Sequence, residues 1–243
     1  FADQLGSPEL RESWTMRWMP MGGSQAEIGW LIDGTSAPML VVVGLVALCV
    51  QIYSVGYLEH EPPHAIGRYF AWQALFVFSM QSLVLAPNLL QLFMGWELVG
   101  LCSYLLIGFW WRKPAAAKAS VKAFWVTKTA DGGLLLGLIV LFSLSGSFGW
   151  ETGTLSTTEL NLVTILLLIG VMGKSAQMPL HIWLPDAMQG PTPVSALLHA
   201  ATMVAAGIFL IVRAWPLFEA APLTLDVMLW VGAITAFLAA CFA

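Results

Sequence analysis

Four residues in this chain sit where ionisable side chains are expensive. Lys174 lies in Glu159–Pro179, ELNLVTILLLIGVMGKSAQMP, a stretch that is otherwise mostly apolar. Glu97 lies in LLQLFMGWELVGLCSYLLIGFWW, Asp131 in VKAFWVTKTADGGLLLGLIVLF, and His199 in SALLHAATMVAAGIFLIV. A charge at the centre of a bilayer costs roughly 3 kcal/mol or more, so such residues pair, line a hydrated cavity or carry an ion path. Four separate apolar segments, each with its own titratable group, form the pattern of a proton carrier.

The chemistry follows from charge burial. Glu97 stands about eight residues into its segment, about 12 Å deep at helical rise. A buried carboxylate is stable when paired and hydrogen-bonded, so a lysine partner is expected, and Lys174 is the candidate. Desolvation drives the lysine toward its neutral form and a nearby carboxylate opposes it. A lysine balanced in this way releases its proton when the carboxylate's charge moves away. A static structural ion pair is the competing reading. Lys128 and Asp131 are three residues apart and can pair along one helix. Lys122 shares a face with Lys118, which suits an interfacial anchor, and the role of Lys122 itself stays open. His199 lies near Ser195 and Thr202 and can pass a proton along a hydrated line, with His181 as an extension. His60 and His64 read as solvated loop histidines. Trp96 and Trp183 read mostly as packing.

These groups must be positioned by membrane helices. Apolar segments run near Ala37–Tyr57, Tyr69–Ala86, Leu89–Trp111, Ala117–Leu144, Leu160–Met178, Val194–Ala214 and Val227–Ala243. About 20 residues span a ~30 Å hydrocarbon core. The fold class expected is therefore all-α, a polytopic bundle of about seven spans. Residues 1–36 form a mixed extramembrane stretch and 37–243 the transmembrane domain. Pro179 and Pro185 remove backbone donors just after Lys174. A helix broken at Lys174–Pro179 is expected, with the freed carbonyls buried in protein. The connections after the first, third and fifth segments carry Arg68, Arg112, Lys113 and Lys118, a small excess that favours this side as cytoplasmic.

Composition excludes several classes. Of 243 residues, 58% are hydrophobic and 10% charged, with mean hydropathy +0.80; soluble domains have about 25% charged residues. No basic run suggests nucleic acid. Cys49, Cys102 and Cys241 have no metal spacing and read as buried small hydrophobes. No nucleotide or iron–sulfur motif is present, so neither cofactor nor metal is expected on this chain. The chain starts at Phe1 and stops at Ala243 within an apolar run, so truncation at both ends is expected.

GWELVGLCSYLLIGFWW (Gly95–Trp111), VKAFWVTKTADGG (Val121–Gly133) and the long Gly173–Arg213 stretch resemble the antiporter-like membrane subunit of NADH:quinone oxidoreductase, respiratory complex I. Leu31–Leu40 resembles the opening of that subunit's core, and the likeness runs from about Gly29 to Ala243. It implies half of an inverted-repeat fold and proton pumping driven by electron transfer elsewhere. It also implies flavin (FMN), iron–sulfur clusters and quinone on other subunits, and partnership with the other membrane subunits in a bacterial, plastid or mitochondrial energy-transducing membrane. By the same resemblance Glu97 and Lys174 form the family's Glu–Lys pair, His199 links onward, and Asp131 is the acid on the preceding helix. Lys128 stands where many relatives carry arginine. Mrp-type cation/proton antiporters, membrane-bound hydrogenases and inorganic-carbon-uptake subunits share these motifs and remain alternatives.

Overall fold

The computed structural model describes residues 11–21, 24–151 and 153–242. The described residues open with an antiparallel hairpin, β1 (Glu12–Met21) and β2 (Ser24–Ile32), in which Trp14 faces Trp30 and Thr15 faces Gly29. The hairpin lies in the stretch read as extramembrane and adds to the expected all-α membrane bundle. Its strands are rich in Trp, Met and Ile, residues that suit a pleated, half-buried surface. Leu31 N–H donates to the Leu85 carbonyl at 2.8 Å, and the Gln91 amide both accepts from and donates to Gly29, each at 2.8 Å. The hairpin is thus tied to the tip of a helical hairpin some sixty residues away.

Helices follow where the apolar segments lie: α1 (Ser36–Tyr57), α2 (Pro63–Val84), α3 (Leu89–Ile107), α4 (Pro114–Ser145) and α5 (Thr157–Lys174). Their starts are chemically marked. Pro63 and Pro114 open α2 and α4, where a missing N–H costs nothing. Asn88 caps α3 by accepting from Gln91 N–H at 2.9 Å. Ser156 and Glu159 form a reciprocal capping box on α5, a sequence signal that the apolar periodicity had obscured.

After α5 the backbone turns irregular. A 3-10 turn (Leu180–Trp183) leads into the short helix α6 (Leu184–Ala187). Next come α7 (Thr192–Ser195), a π-turn segment (Ala196–Ala201), α8 (Met203–Arg213), α9 (Trp215–Glu219) and α10 (Pro222–Phe242). The expected break therefore falls at Lys174, and Trp183 and Ala187 beyond it are buried, so the segment is no surface loop. Taking α7 to α8 as one span, six helices among the described residues are long and apolar enough to cross a membrane. α2 matches them in length but is not among the six; it carries buried Gln73 and Ser79 on its inner face.

Broad apolar faces look outward on α1 (Leu45, Ile52), α4 (Trp125, Leu136) and α10 (Leu229, Phe237), as lipid or a neighbouring subunit requires. Cys102 is buried, but Cys49 and Cys241 are exposed on such faces, which corrects their reading as core residues.

One ionic contact ties the two ends of the bundle's sequence together. Arg213 at the end of α8 donates to Asp33 Oδ2 at 2.5 Å, and Asp33 Oδ1 accepts from the Thr35 and Ser36 N–H groups, each at 3.0 Å. Burial pushes the Asp33 carboxyl up, but the Arg213 guanidinium and these backbone donors outweigh it and hold it below the usual carboxylate range. A depressed folded-state value contributes stability that is present above the unfolded value of about 4 and is lost as pH falls through the folded one. In thermal unfolding, the advantage of the natural chain over Asp33→Asn should be full at pH 7 and shrink below about pH 4. An advantage that stayed constant through that range would disprove the clamp.

Candidate functional site

Three adjacent helices carry the charged core, and α4 is the middle one. Lys174, at the last turn of α5, is fully buried; its Nζ lies 3.2 Å from Asp131 Oδ2 on α4. The other carboxylate oxygen, Oδ1, accepts from Trp96 Nε1 on α3 at 2.6 Å. The ammonium also lies 5.8 Å from the centre of the Trp96 ring, within range of a cation–π attraction. Trp96 is therefore more than packing: it holds the acid that holds the lysine. One turn up α4 from Asp131, Lys128 forms an ion pair with Glu97 of α3, both about a quarter exposed.

The partners are thus exchanged relative to expectation. Glu97 does not meet Lys174, and Lys128 pairs across to α3 rather than along its own helix. The reason is how closely α4 and α5 pack. Gly133 and Gly137 on α4 lie against Ile169 and Leu167, and Gly170 and Gly173 on α5 lie against Leu134 and Ala130. Small residues let two membrane helices approach closely. The Gly133–Gly137 spacing is a GxxxG signal that sequence reasoning passed over. With the backbones this close, Asp131 is brought against Lys174, and Lys128, one turn away, is left for Glu97. Gly100 completes the seat: a methyl there would lie 2.6 Å from Lys174 Nζ.

Charges therefore alternate across the bundle as Glu97, Lys128, Asp131, Lys174. A buried pair is costly unless its remaining hydrogen-bonding capacity is used, and the Trp96 indole uses one lone pair of Asp131.

Lys122 is paired too. Its Nζ lies 2.7 Å from Asp186 Oδ2 on α6, with both side chains nearly half exposed. Asp186 was not singled out from the sequence. Its place beyond the broken helix gives Lys122 a clear task, fastening that segment to α4. Lys118 is exposed, as an anchor would be.

His199 stands apart from the charged row. Both ring nitrogens are buried without a hydrogen-bond partner. Thr202 does not serve it; its hydroxyl donates to the Leu197 carbonyl. The ring lies 5.8 Å from that of Trp183, and Trp183 Nε1 donates to the Gly173 carbonyl at 3.0 Å, next to Lys174. Trp183 is thus the physical bridge between the lysine and the histidine. The π-turn holding His199 is a helix irregularity of the kind found at functional sites. His181 also has a buried, unpartnered Nδ1 and lines a small apolar cavity against α10 with Thr235 and Leu238. Among the described residues no group of three or more His, Cys, Asp or Glu side chains is gathered as a metal site.

Comparison with known proteins agrees with this architecture. The family described as NADH:quinone oxidoreductase/Mrp antiporter, transmembrane, matches residues 86–243. The family described as the N-terminus of NADH-ubiquinone oxidoreductase (complex I) chain 5 matches residues 18–70. The NAD(P)H-quinone oxidoreductase chain 5 of Picosynechococcus sp. is 47% identical over 242 residues, covering 95% of this chain and 36% of its own length. The chloroplastic NAD(P)H-quinone oxidoreductase subunit 5 of Mesostigma viride is 47% identical over 241 residues, 95% of this chain and 37% of its own. The chain spans about a third of the length of these relatives. A solved Mrp complex from Dietzia sp. has a chain that is 31% identical with a TM-score of 0.86, covering 96% of this chain and 26% of that one.

Proposed function

The chain belongs to the NADH:quinone oxidoreductase/Mrp antiporter family and is an integral membrane protein; from that premise we propose that it is the proton-translocating part of an NAD(P)H-quinone oxidoreductase. The observation that supports this reading is the alternating row Glu97, Lys128, Asp131, Lys174 laid across three helices. In such a row Lys128 stands between two acids, whereas Lys174 meets Asp131 alone. Lys128 pairs with Glu97 at rest. If its charge swings one turn toward Asp131, the carboxylate is shared between two cations and its hold on Lys174 weakens. Lys174 then gives up its proton, and restoration of the first pair makes it basic again. Glu97 thus governs Lys174 through Lys128 and Asp131 rather than by touching it. His199, on the far side of Trp183, takes the proton onward along a hydrated line. Flavin, iron–sulfur clusters and quinone belong to partner subunits, and this chain supplies the path for the proton rather than the redox step.

The test is the row itself. Lys128→Met, in the complete complex reconstituted in vesicles, should lower proton uptake per quinone reduced by about tenfold, the reach of a lost charge-pair coupling of about 1.4 kcal/mol. Glu97→Gln should lower it comparably, and the double variant no further than either alone, because both remove one interaction. Additive losses would sink the proposal. The Mrp likeness supports a second reading, cation/proton antiport. In that case a sodium gradient alone, without NAD(P)H or quinone, should drive proton movement that is lost in Lys174→Met.

A further inference from the structure

At the end of the bundle opposite the β-hairpin, two connections fold over each other. The chain enters α2 through Glu61, Pro62 and Pro63 and leaves α3 through Phe109 to Lys113. Between them lies a cleft of about 220 Å³ whose lining includes Arg68, Arg112, Lys113 and His64. Each of the three permanent cations lies against an aromatic ring. The Arg68 guanidinium is 5.0 Å from the Trp72 ring centre and 5.5 Å from that of Phe109. Arg112 is 5.1 Å from Trp111, and Lys113 is 4.0 Å from Trp110. The one acid in the lining, Glu61, accepts from Trp110 Nε1 at 2.8 Å.

The charge balance sets this place apart. Lys122, Lys128, Lys174 and Arg213 each meet a carboxylate within the chain. Among the described residues, Arg68, Arg112 and Lys113 meet none; the exposed Arg11, Arg17 and Lys118 also meet none, but only the first three line a single cleft. Arg68 donates to the Phe109 carbonyl at 3.3 Å, yet its Nε is buried without a partner. Three cations held on aromatic faces, against the single carboxylate of Glu61 and in ion-pair contact with none, leave a net positive charge that calls for an anion from outside.

A second cavity says what that anion is attached to. A groove of about 400 Å³ continues from the cleft, sharing Arg68 and Trp111 with it. Its walls are Trp72, Tyr104, Leu105, Gly108 and Val121, mostly apolar and one helical turn, about 6 Å, further into the bilayer on α2, α3 and α4. Three cations above an aromatic collar above an apolar groove is the order of a phospholipid's own parts. Basic pockets between helices on the positively charged side of membrane proteins bind anionic headgroups.

We infer that this cleft and groove form a binding site for one anionic phospholipid, its phosphate held by Arg68, Arg112 and Lys113 and the start of an acyl chain lying along Trp72, Leu105 and Val121. The site is independent of the charged row and of the proposed pumping function.

The experiment uses the complete membrane complex carrying this chain, delipidated in mild detergent and titrated with phosphatidylglycerol or phosphatidylcholine, with retained lipid read by native mass spectrometry. Arg112→Gln with Lys113→Gln changes exposed side chains and leaves the Arg68 stack in place. It should weaken phosphatidylglycerol retention roughly 10- to 30-fold, since each basic residue contributes about 1 kcal/mol to anionic-lipid attraction, and should leave phosphatidylcholine unchanged. Val121→Trp fills the groove and should also displace phosphatidylglycerol. Equal retention of the two lipids by the natural chain, or unchanged phosphatidylglycerol in both variants, would overturn the inference. Displacement of the lipid by millimolar inorganic phosphate, together with normal retention in Val121→Trp, would reassign the cleft to free phosphate and equally overturn it.

Discussion

Lys174→Met should abolish proton translocation and sharply reduce the amount of assembled complex. The first effect follows from removing the only cation that meets Asp131 among the described residues. The second follows from what is left behind. Asp131 is 2% exposed and would retain only the Trp96 hydrogen bond. Stranding one member of a buried pair costs about 3–5 kcal/mol. The two effects are separable. Adding Asp131→Asn removes the stranded charge, so the double variant should assemble at near-normal levels while still failing to pump. Proton uptake and quinone reductase activity in vesicles, normalised to assembled complex, decide the matter. A Lys174→Met complex that pumps at the normal proton-to-electron ratio would eliminate Lys174 from the path. A double variant that still fails to assemble would show that the pair is needed for folding itself.

The second large effect is steric. A β-carbon at Gly173 would overlap that of Ala130 on α4, too close for both to stay in place. Gly173→Val forces α4 and α5 apart at the level of Asp131 and Lys174. Overpacking of this kind costs about 1–3 kcal/mol, a 5- to 150-fold shift in folded population. Because it also lengthens the Lys174–Asp131 contact, activity per assembled complex should fall as well. Ala130→Gly removes the obstructing methyl and should recover much of both losses. If Ala130→Gly gives no recovery, the close approach of the two helices is not what positions the lysine.

Both expectations rest on α4, and α4 shows how much was legible beforehand. Its apolar length, its Lys122, Lys128 and Asp131, and the Pro-marked break after Lys174 can all be read in order along the chain. Membrane burial makes this possible, since a charge among some twenty apolar residues stands out whatever its partner. The β-hairpin was not legible, because no sequence count can anticipate that Gln91 would bind Gly29. Nor was the exposure of Cys49 and Cys241, since an apolar helix face looks alike in sequence whether it meets protein or lipid.

The sequence by itself determined which residues are charged inside the membrane, which helices carry them and where the backbone must break, because hydropathy, helical rise and proline chemistry are local properties. Only the tertiary structure decided who pairs with whom. Glu97 found Lys128, Asp131 found Lys174 and Trp96, and Lys122 found Asp186. Those choices depend on the rotation and separation of neighbouring helices, set by glycines packing against side chains on another helix, and a shift of one turn would have exchanged every partner.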